Sequence, residues 1–267
     1  MRLPPCRAGR GTVAALLFRL LATLLLGWTA AVPARAADPD ALWKIVHGAC
    51  VPDEAEHAYP APCAKVSLDA GWAVLKDRRG ETQYLLIPTA RVTGIEDPAV
   101  LGGDAPNYWA AAWAARRFVF ASAGRVLPRD AVSLAVNSPS GRSQNQLHIH
   151  VECLRPDVRD ALRQAAPTLG DAWTRLPGGL RGHAYMARRL DGATLGEANP
   201  FRLLAAAPQV GTSGIGDWTL VVAGARFAGD APGFVLLADR IDRMALDRAE
   251  GEELQDHDCA LAASLPN

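Results

Sequence analysis

The stretch Ser143–Asp157, SQNQLHIHVECLRPD, decides the fold. Polar and apolar residues alternate from Gln146 to Val151, and Leu154-Arg-Pro-Asp breaks the run. Side chains alternate across a strand, so Gln146, His148 and His150 share one face and Leu147, Ile149 and Val151 the other. The aliphatic face predicts a core contact. The two imidazoles then stand roughly 7 Å apart at a rise of about 3.3 Å per residue, a spacing that flanks a ligand group. Three readings stay open on this pattern: polar residues on the wet face of a strand, two zinc ligands that lack a third, or a catalytic pair at a phosphoanhydride. In the third, a neutral imidazole nitrogen attacks phosphorus while the other histidine and the amides of residues 141–143 donate to phosphate oxygens. The ordinary histidine pKa of about 6.5 makes the neutral ring the majority form at pH 7. The second ring nitrogen should donate to a carbonyl that fixes the tautomer.

Working outward, residues 71–76 and 83–88 read as two strands of a hairpin across Asp77-Arg-Arg-Gly-Glu, whose basic residues form a solvated tip with Lys76. A helix is predicted from Asn107 to Phe120, with Trp109 and Trp113 four apart on its core face. Residues 131–136 and 146–153 read as strands, and a helix starts at Arg155-Pro-Asp-Val and runs to about Ala166. A short helix is expected from Asp40 to His47, followed by a loop rich in turn formers. In the second half, residues 183–188, 218–222 and 233–238 read as strands and 200–206 as a helix. Strand, helix, strand, strand therefore occurs twice. A degenerate duplication is one reading of that order, and coincidence is the other. No Pro-rich or charged linker separates the halves, which predicts one compact body over residues 37–267.

The 267 residues are 49% hydrophobic and carry 28 basic and 28 acidic side chains. Five arginines and no acid lie in residues 1–36, which leaves 23 basic against 28 acidic groups in the body. A net-acidic body has no broad electrostatic affinity for nucleic acid, because such affinity comes from phosphate neutralisation. Residues 1–36 combine a basic start, an apolar run and Ala34-Arg35-Ala36, the pattern of an export signal. The apolar stretch is almost long enough to serve as a membrane anchor, so cleavage and retention both remain open. Cys50, Cys63, Cys153 and Cys259 suit an oxidising compartment and allow three pairings; a Cys50–Cys63 bridge would close a short loop. Their spacing is not that of a zinc site, and no metal or other cofactor is expected. His47, His57, His183 and His257 are scattered; His257, beside Cys259, reads as structural.

The run Gln144-Asn-Gln-Leu-His-Ile-His-Val resembles the histidine-triad superfamily, in which the middle histidine is the nucleophile. More closely, the chain resembles the bacterial CDP-diacylglycerol pyrophosphatases through five pieces in order: Tyr84-Leu-Leu-Ile-Pro-Thr, Gly94-Ile-Glu-Asp-Pro, Asn145-Gln-Leu-His-Ile-His, Leu154-Arg-Pro-Asp-Val and Asp256-His-Asp-Cys. The resemblance implies an α+β fold: an antiparallel sheet of the histidine-triad type with flanking helices. It implies that His148 is the nucleophile, that His150 contacts the phosphate, and that Ser143 occupies a phosphate-contacting position. Asn137 lies two residues from the place of a nucleotide-orienting asparagine, and Gln146 stands where the first histidine of the triad would be. Arg155 reads equally as a phosphate partner or as a flank of the helix start. The implied reaction is hydrolysis of CDP-diacylglycerol to CMP and phosphatidate, without metal, by an enzyme at the periplasmic side of a bacterial inner membrane or free in the periplasm. A soluble nucleotide phosphoanhydride as substrate, or a binding protein without turnover, are the alternatives.

Overall fold

The computed structural model describes residues 38–211 and 214–264, with Met1 and Arg2. The rest of the expected export segment lies outside the described residues. Among those described, no helix is long and apolar enough to cross a membrane.

The hairpin predicted around Asp77 forms from β2 (Trp72–Lys76) and β3 (Tyr84–Pro88), with β1 (Lys65–Ser67) beside it. Helix α3 (Tyr108–Ser122) starts at Asn107, whose side chain accepts from the Ala110 amide. The earlier helices are α1 (Ala41–Ile45) and α2 (Val51–His57), joined by a π-helical turn (Val46–Cys50). The expected loop is thus partly helical. Pro52 sits in the first turn of α2, where a missing N–H costs least, and the wider π turn precedes it. Strands β4 (Val132–Val136) and β5 (Ile149–Cys153) follow α3, then α4 (Pro156–Ala165). The second half runs β6 (Thr174–Arg175), β7 (Met186–Asp191), α5 (Pro200–Ala205), β8 (Trp218–Phe227), β9 (Ala231–Arg240) and α6 (Ala260–Ser264).

All nine strands join one antiparallel sheet in the order β1-β2-β3-β5-β4-β8-β9-β7-β6. Apart from β1, which has no counterpart, the order is symmetric about the β4–β8 contact. The β3-β5-β4 arrangement of the first half reappears as β7-β9-β8 in the second. Repeated element order is therefore matched by repeated pairing.

One sheet face carries α3 and α5. Trp109, Trp113 and Phe201 pack there with Leu134, Ile149, Leu220 and Phe234, and the helical tryptophans are core residues as their spacing predicts. Leu147, Ile149 and Val151 all enter this core. The opposite face has two apolar clusters: Val46 and Cys50 over Ala73, Leu85 and Ile87, and Val158 and Leu162 over Val221, Leu237 and Tyr185. Between them lies a strip of polar side chains that includes His150 and Glu152. The 3₁₀ turn Gly251–Leu254 covers this strip, held by Gln255, whose amide donates to the Ser133 and His150 carbonyls. Bridges Cys50–Cys63 and Cys153–Cys259 fasten the π-helical turn before α2 and the C-terminal segment.

Candidate active site

His148 immediately precedes β5, which starts three residues later than the strand predicted from Gln146, and His150 lies within it opposite Leu85 and Ala135. Both rings are buried, so this face of the strand is not wet. Their centroids are 4.8 Å apart in an edge-to-face arrangement, closer than strand rise alone predicts. His148 stands outside the regular strand, so strand rise does not set the separation of the rings.

The two rings are held as different tautomers. His148 Nδ1 lies 2.7 Å from the Gln146 carbonyl, so it carries the proton and leaves the Nε2 lone pair unengaged. The expected tautomer-fixing carbonyl is thus two residues upstream. His150 Nδ1 accepts from Gln83 Nε2 at 3.0 Å, because the same amide nitrogen also donates to Glu252 Oε1 at 3.2 Å. The His150 proton is then on Nε2, a buried atom without a hydrogen-bond partner, 3.6 Å from Glu252 Oε2. The site presents one bare nitrogen and one unpaired N–H.

Burial pushes His148 down to about 3, and the adjacent His150 adds to the effect. The ring is neutral throughout the physiological range. Burial would raise Glu252, but His150, Gln83, His257 and Asn137 together hold it below the usual carboxylate range. Glu152 shifts the other way, raised chiefly by burial, although Thr82 and the Cys153 amide donate to it. His257 bridges the two carboxylates at 3.8 Å from Glu152 and 3.6 Å from Glu252; Glu152 raises its pKa.

The structure disperses part of the sequence-predicted set. Asn137 joins the site through Glu252: its amide donates to Oε2, and its Oδ1 accepts from the Glu252 backbone. Gln146 is buried with its side chain bonded to the backbone of Pro88, Ala90 and Val92, so it fixes the loop that supplies the carbonyl for His148. Ser143 is exposed on the preceding loop. Arg155 flanks the start of α4 and pairs with Asp157.

Sequence reasoning missed Arg142, Glu96, Glu252 and Gln83. Arg142 lies near enough to His148 to depress its pKa, and Glu96 clamps the guanidinium through two bonds, at 2.7 and 2.5 Å. A Cβ on Gly94 would collide with Arg142 Nη1, and Asp97 caps the next turn by accepting from Ala99 and Thr93. The piece Gly94-Ile-Glu-Asp-Pro was the available signal for this clamp. Nothing in the sequence signalled Glu252, which reaches His150 only through the fold.

A family model described as CDP-diacylglycerol pyrophosphatase matches residues 37–263. A CDP-diacylglycerol pyrophosphatase of Yersinia pestis is 42% identical over 250 residues, covering 94% of this chain and 95% of that protein. The match spans both halves of the sheet, the histidine pair and the turn that carries Glu252, and the chain belongs to the CDP-diacylglycerol pyrophosphatase family.

Proposed function

We propose that the chain hydrolyses the phosphoanhydride of CDP-diacylglycerol through a nucleotidyl-histidine intermediate on His148. The observation that carries this reading is the bond from His148 Nδ1 to the Gln146 carbonyl, which leaves Nε2 bare on a ring kept neutral by burial. Nε2 attacks the cytidine-side phosphorus. The bond to the bridging oxygen breaks, and phosphatidate leaves with that oxygen and the bonding pair. Water then attacks the same phosphorus, the P–N bond breaks, CMP departs, and the lone pair returns to His148. The unpaired His150 Nε2–H donates to a phosphate oxygen, and Arg142 offers positive charge beside the nucleophile. Glu252 keeps His150 in the donating tautomer.

The symmetric sheet order supports a histidine-triad-type fold in which the second half is a degenerate copy. The position in β9 that faces β7 as His150 faces β3 is Leu237, opposite Ala187. Two residues earlier, at the counterpart of His148, stands Val235, so only the first half retains the nucleophile. A lipid substrate gives the apolar segment in residues 13–34 a purpose, so we place the enzyme at the periplasmic membrane surface, anchored or released by cleavage.

Substrate labelled in the cytidine-side phosphate tests the reading. Acid-labile, histidine-bound label should appear in a rapid quench and be absent from His148→Ala, with kcat lowered by about three orders of magnitude or more and the circular-dichroism spectrum retained. Near-native turnover in His148→Ala would defeat it. Tight binding without product would favour a non-catalytic carrier, and equal rates on a water-soluble cytidine diphosphate alcohol would favour the soluble substrate.

A further inference from the structure

The second half of the sheet carries its own cluster of ionisable side chains on the same face as the histidine pair. In β9, Val235 and Leu237 enter the apolar cluster beneath α4, and Asp239 follows at the next position on that face. Its side chain is 6% exposed. Oδ1 accepts from the Arg240 amide, while Oδ2 is buried without a hydrogen-bond partner and lies 3.8 Å from His183 Nδ1. Asp247 repeats the arrangement: Oδ1 accepts from the Ala249 amide, and Oδ2 stands 3.5 Å from the same nitrogen. The tight turn Leu180–His183, bonded backbone to backbone in both directions, fixes the imidazole. His183 Nδ1 is itself without a hydrogen-bond partner. Three ligand atoms from three segments thus converge, all within 4.8 Å of one another.

We propose that His183 Nδ1, Asp239 Oδ2 and Asp247 Oδ2 form a binding site for a divalent transition-metal cation of the zinc class. A four-coordinate zinc ion with bonds of about 2.0–2.1 Å sets its ligands roughly 3.3–3.4 Å apart, so the two spacings from His183 Nδ1 need close by only a few tenths of an ångström, while the two carboxylate oxygens, within 4.8 Å of each other, make the larger adjustment. One imidazole and two carboxylates leave a fourth position for water, and this donor set suits zinc better than the hard cations, which prefer all-oxygen sites. The backbone amides on both Oδ1 atoms orient the carboxylates, the arrangement usual around protein-bound metals. Charge points the same way. Glu253, held by the Tyr185 hydroxyl at 2.7 Å and itself 3.0 Å from His183 Nδ1, adds a third carboxylate. Glu253 also adjoins Glu252 on the 3₁₀ turn, so a cation here would stiffen the turn that positions His150.

The competing occupant is a proton shared by Asp239 and Asp247, and zinc titration separates the two. Untagged, chelator-stripped full-length protein at pH 7.5 should bind one Zn²⁺ per chain by isothermal calorimetry, with protons released to buffer. Co²⁺ in its place should give the visible band of a four-coordinate ion. Loss of an outer-shell partner already weakens metal sites by roughly 10–100-fold, so removing a ligand should weaken zinc by about 100-fold or more. His183→Gln and Asp239→Asn should each show that loss. If Asp239→Asn does not fold, the partly exposed His183 carries the comparison. Absence of stoichiometric zinc binding in the wild type, or undiminished binding in His183→Gln, overturns the proposal.

Discussion

A histidine that donates to a carbonyl and is shut away from water keeps its lone pair where a solvated one would be protonated in acid. His148 is in that position, 8% exposed, with its pKa held near 3 by burial and by His150. Its ¹⁵N resonances should report a single neutral Nδ1–H tautomer from pH 8 to pH 5, whereas titration near the ordinary value of about 6.5 would remove the premise of the mechanism. Stability follows with a definite sign. Between about 3 and 6.5 the unfolded chain binds a proton at this ring that the folded chain refuses, so stability falls as pH falls through that window. The midpoint of thermal unfolding should drop between pH 7 and pH 4 in the wild type and drop less in His148→Gln. Glu252, held below the usual carboxylate range, adds its own acid loss to both proteins, so the difference in slope is the quantity to read. At this scale the sequence was informative about identity and silent about environment. His148 and His150 stood out by type and spacing, but their burial, the Gln83 amide that sets the His150 tautomer and the Glu252 carboxylate come from segments distant in sequence.

Among elements, the two disulfides have different neighbours and should fail differently. In the chain-entropy account, a bridge closing 13 residues stabilises by about 3 kcal/mol and one closing 106 by about 5 kcal/mol. Cys50–Cys63 ties the π-helical turn before α2 to the segment before β1, away from the imidazoles. Cys153–Cys259 holds the segment carrying His257 against β5, next to Glu152. Replacing Cys153 and Cys259 by serine should therefore lower both the unfolding midpoint and turnover, while the same change at Cys50 and Cys63 should lower the midpoint and spare turnover at permissive temperature. Equal loss of activity from both pairs would contradict this division. Periodicity and turn chemistry located the hairpin, the central strands, α3, α4 and α5 to within a few residues, since each is long or sharply bounded. It did not show β1 or β6, which are too short for a pattern, and it read Val51–His57 as loop because Pro52 and the nearby turn formers outweighed helix signals. The π-helical turn that makes room there is not visible in local sequence.

For the whole molecule, the symmetric sheet order and the proposed export segment each give an expectation. If only the first half retains the nucleophile, covalent trapping saturates at one CMP per chain; a value near two would mean that the second half also reacts. If residues 2–36 serve to raise encounter with the lipid, as proposed, deleting them should slow hydrolysis of CDP-diacylglycerol in vesicles much more than hydrolysis of a short-chain analogue in solution. Equal slowing on both would place its effect in the body of the enzyme. The sequence by itself determined the nucleophile candidate, the core-facing side of β5, the four cysteines beyond residues 1–36 and the family resemblance, all of which depend on residue type and short-range spacing. Tertiary structure alone decided which cysteines pair, that both sheet faces are covered, and that Glu252, Glu152, His257 and Arg142 gather around the imidazoles. It also brought His183, Asp239 and Asp247 together. The reason is physical: alternation fixes which face a side chain takes, whereas its neighbours across the sheet depend on pairing and on the turns that close over it, and no local pattern encodes those.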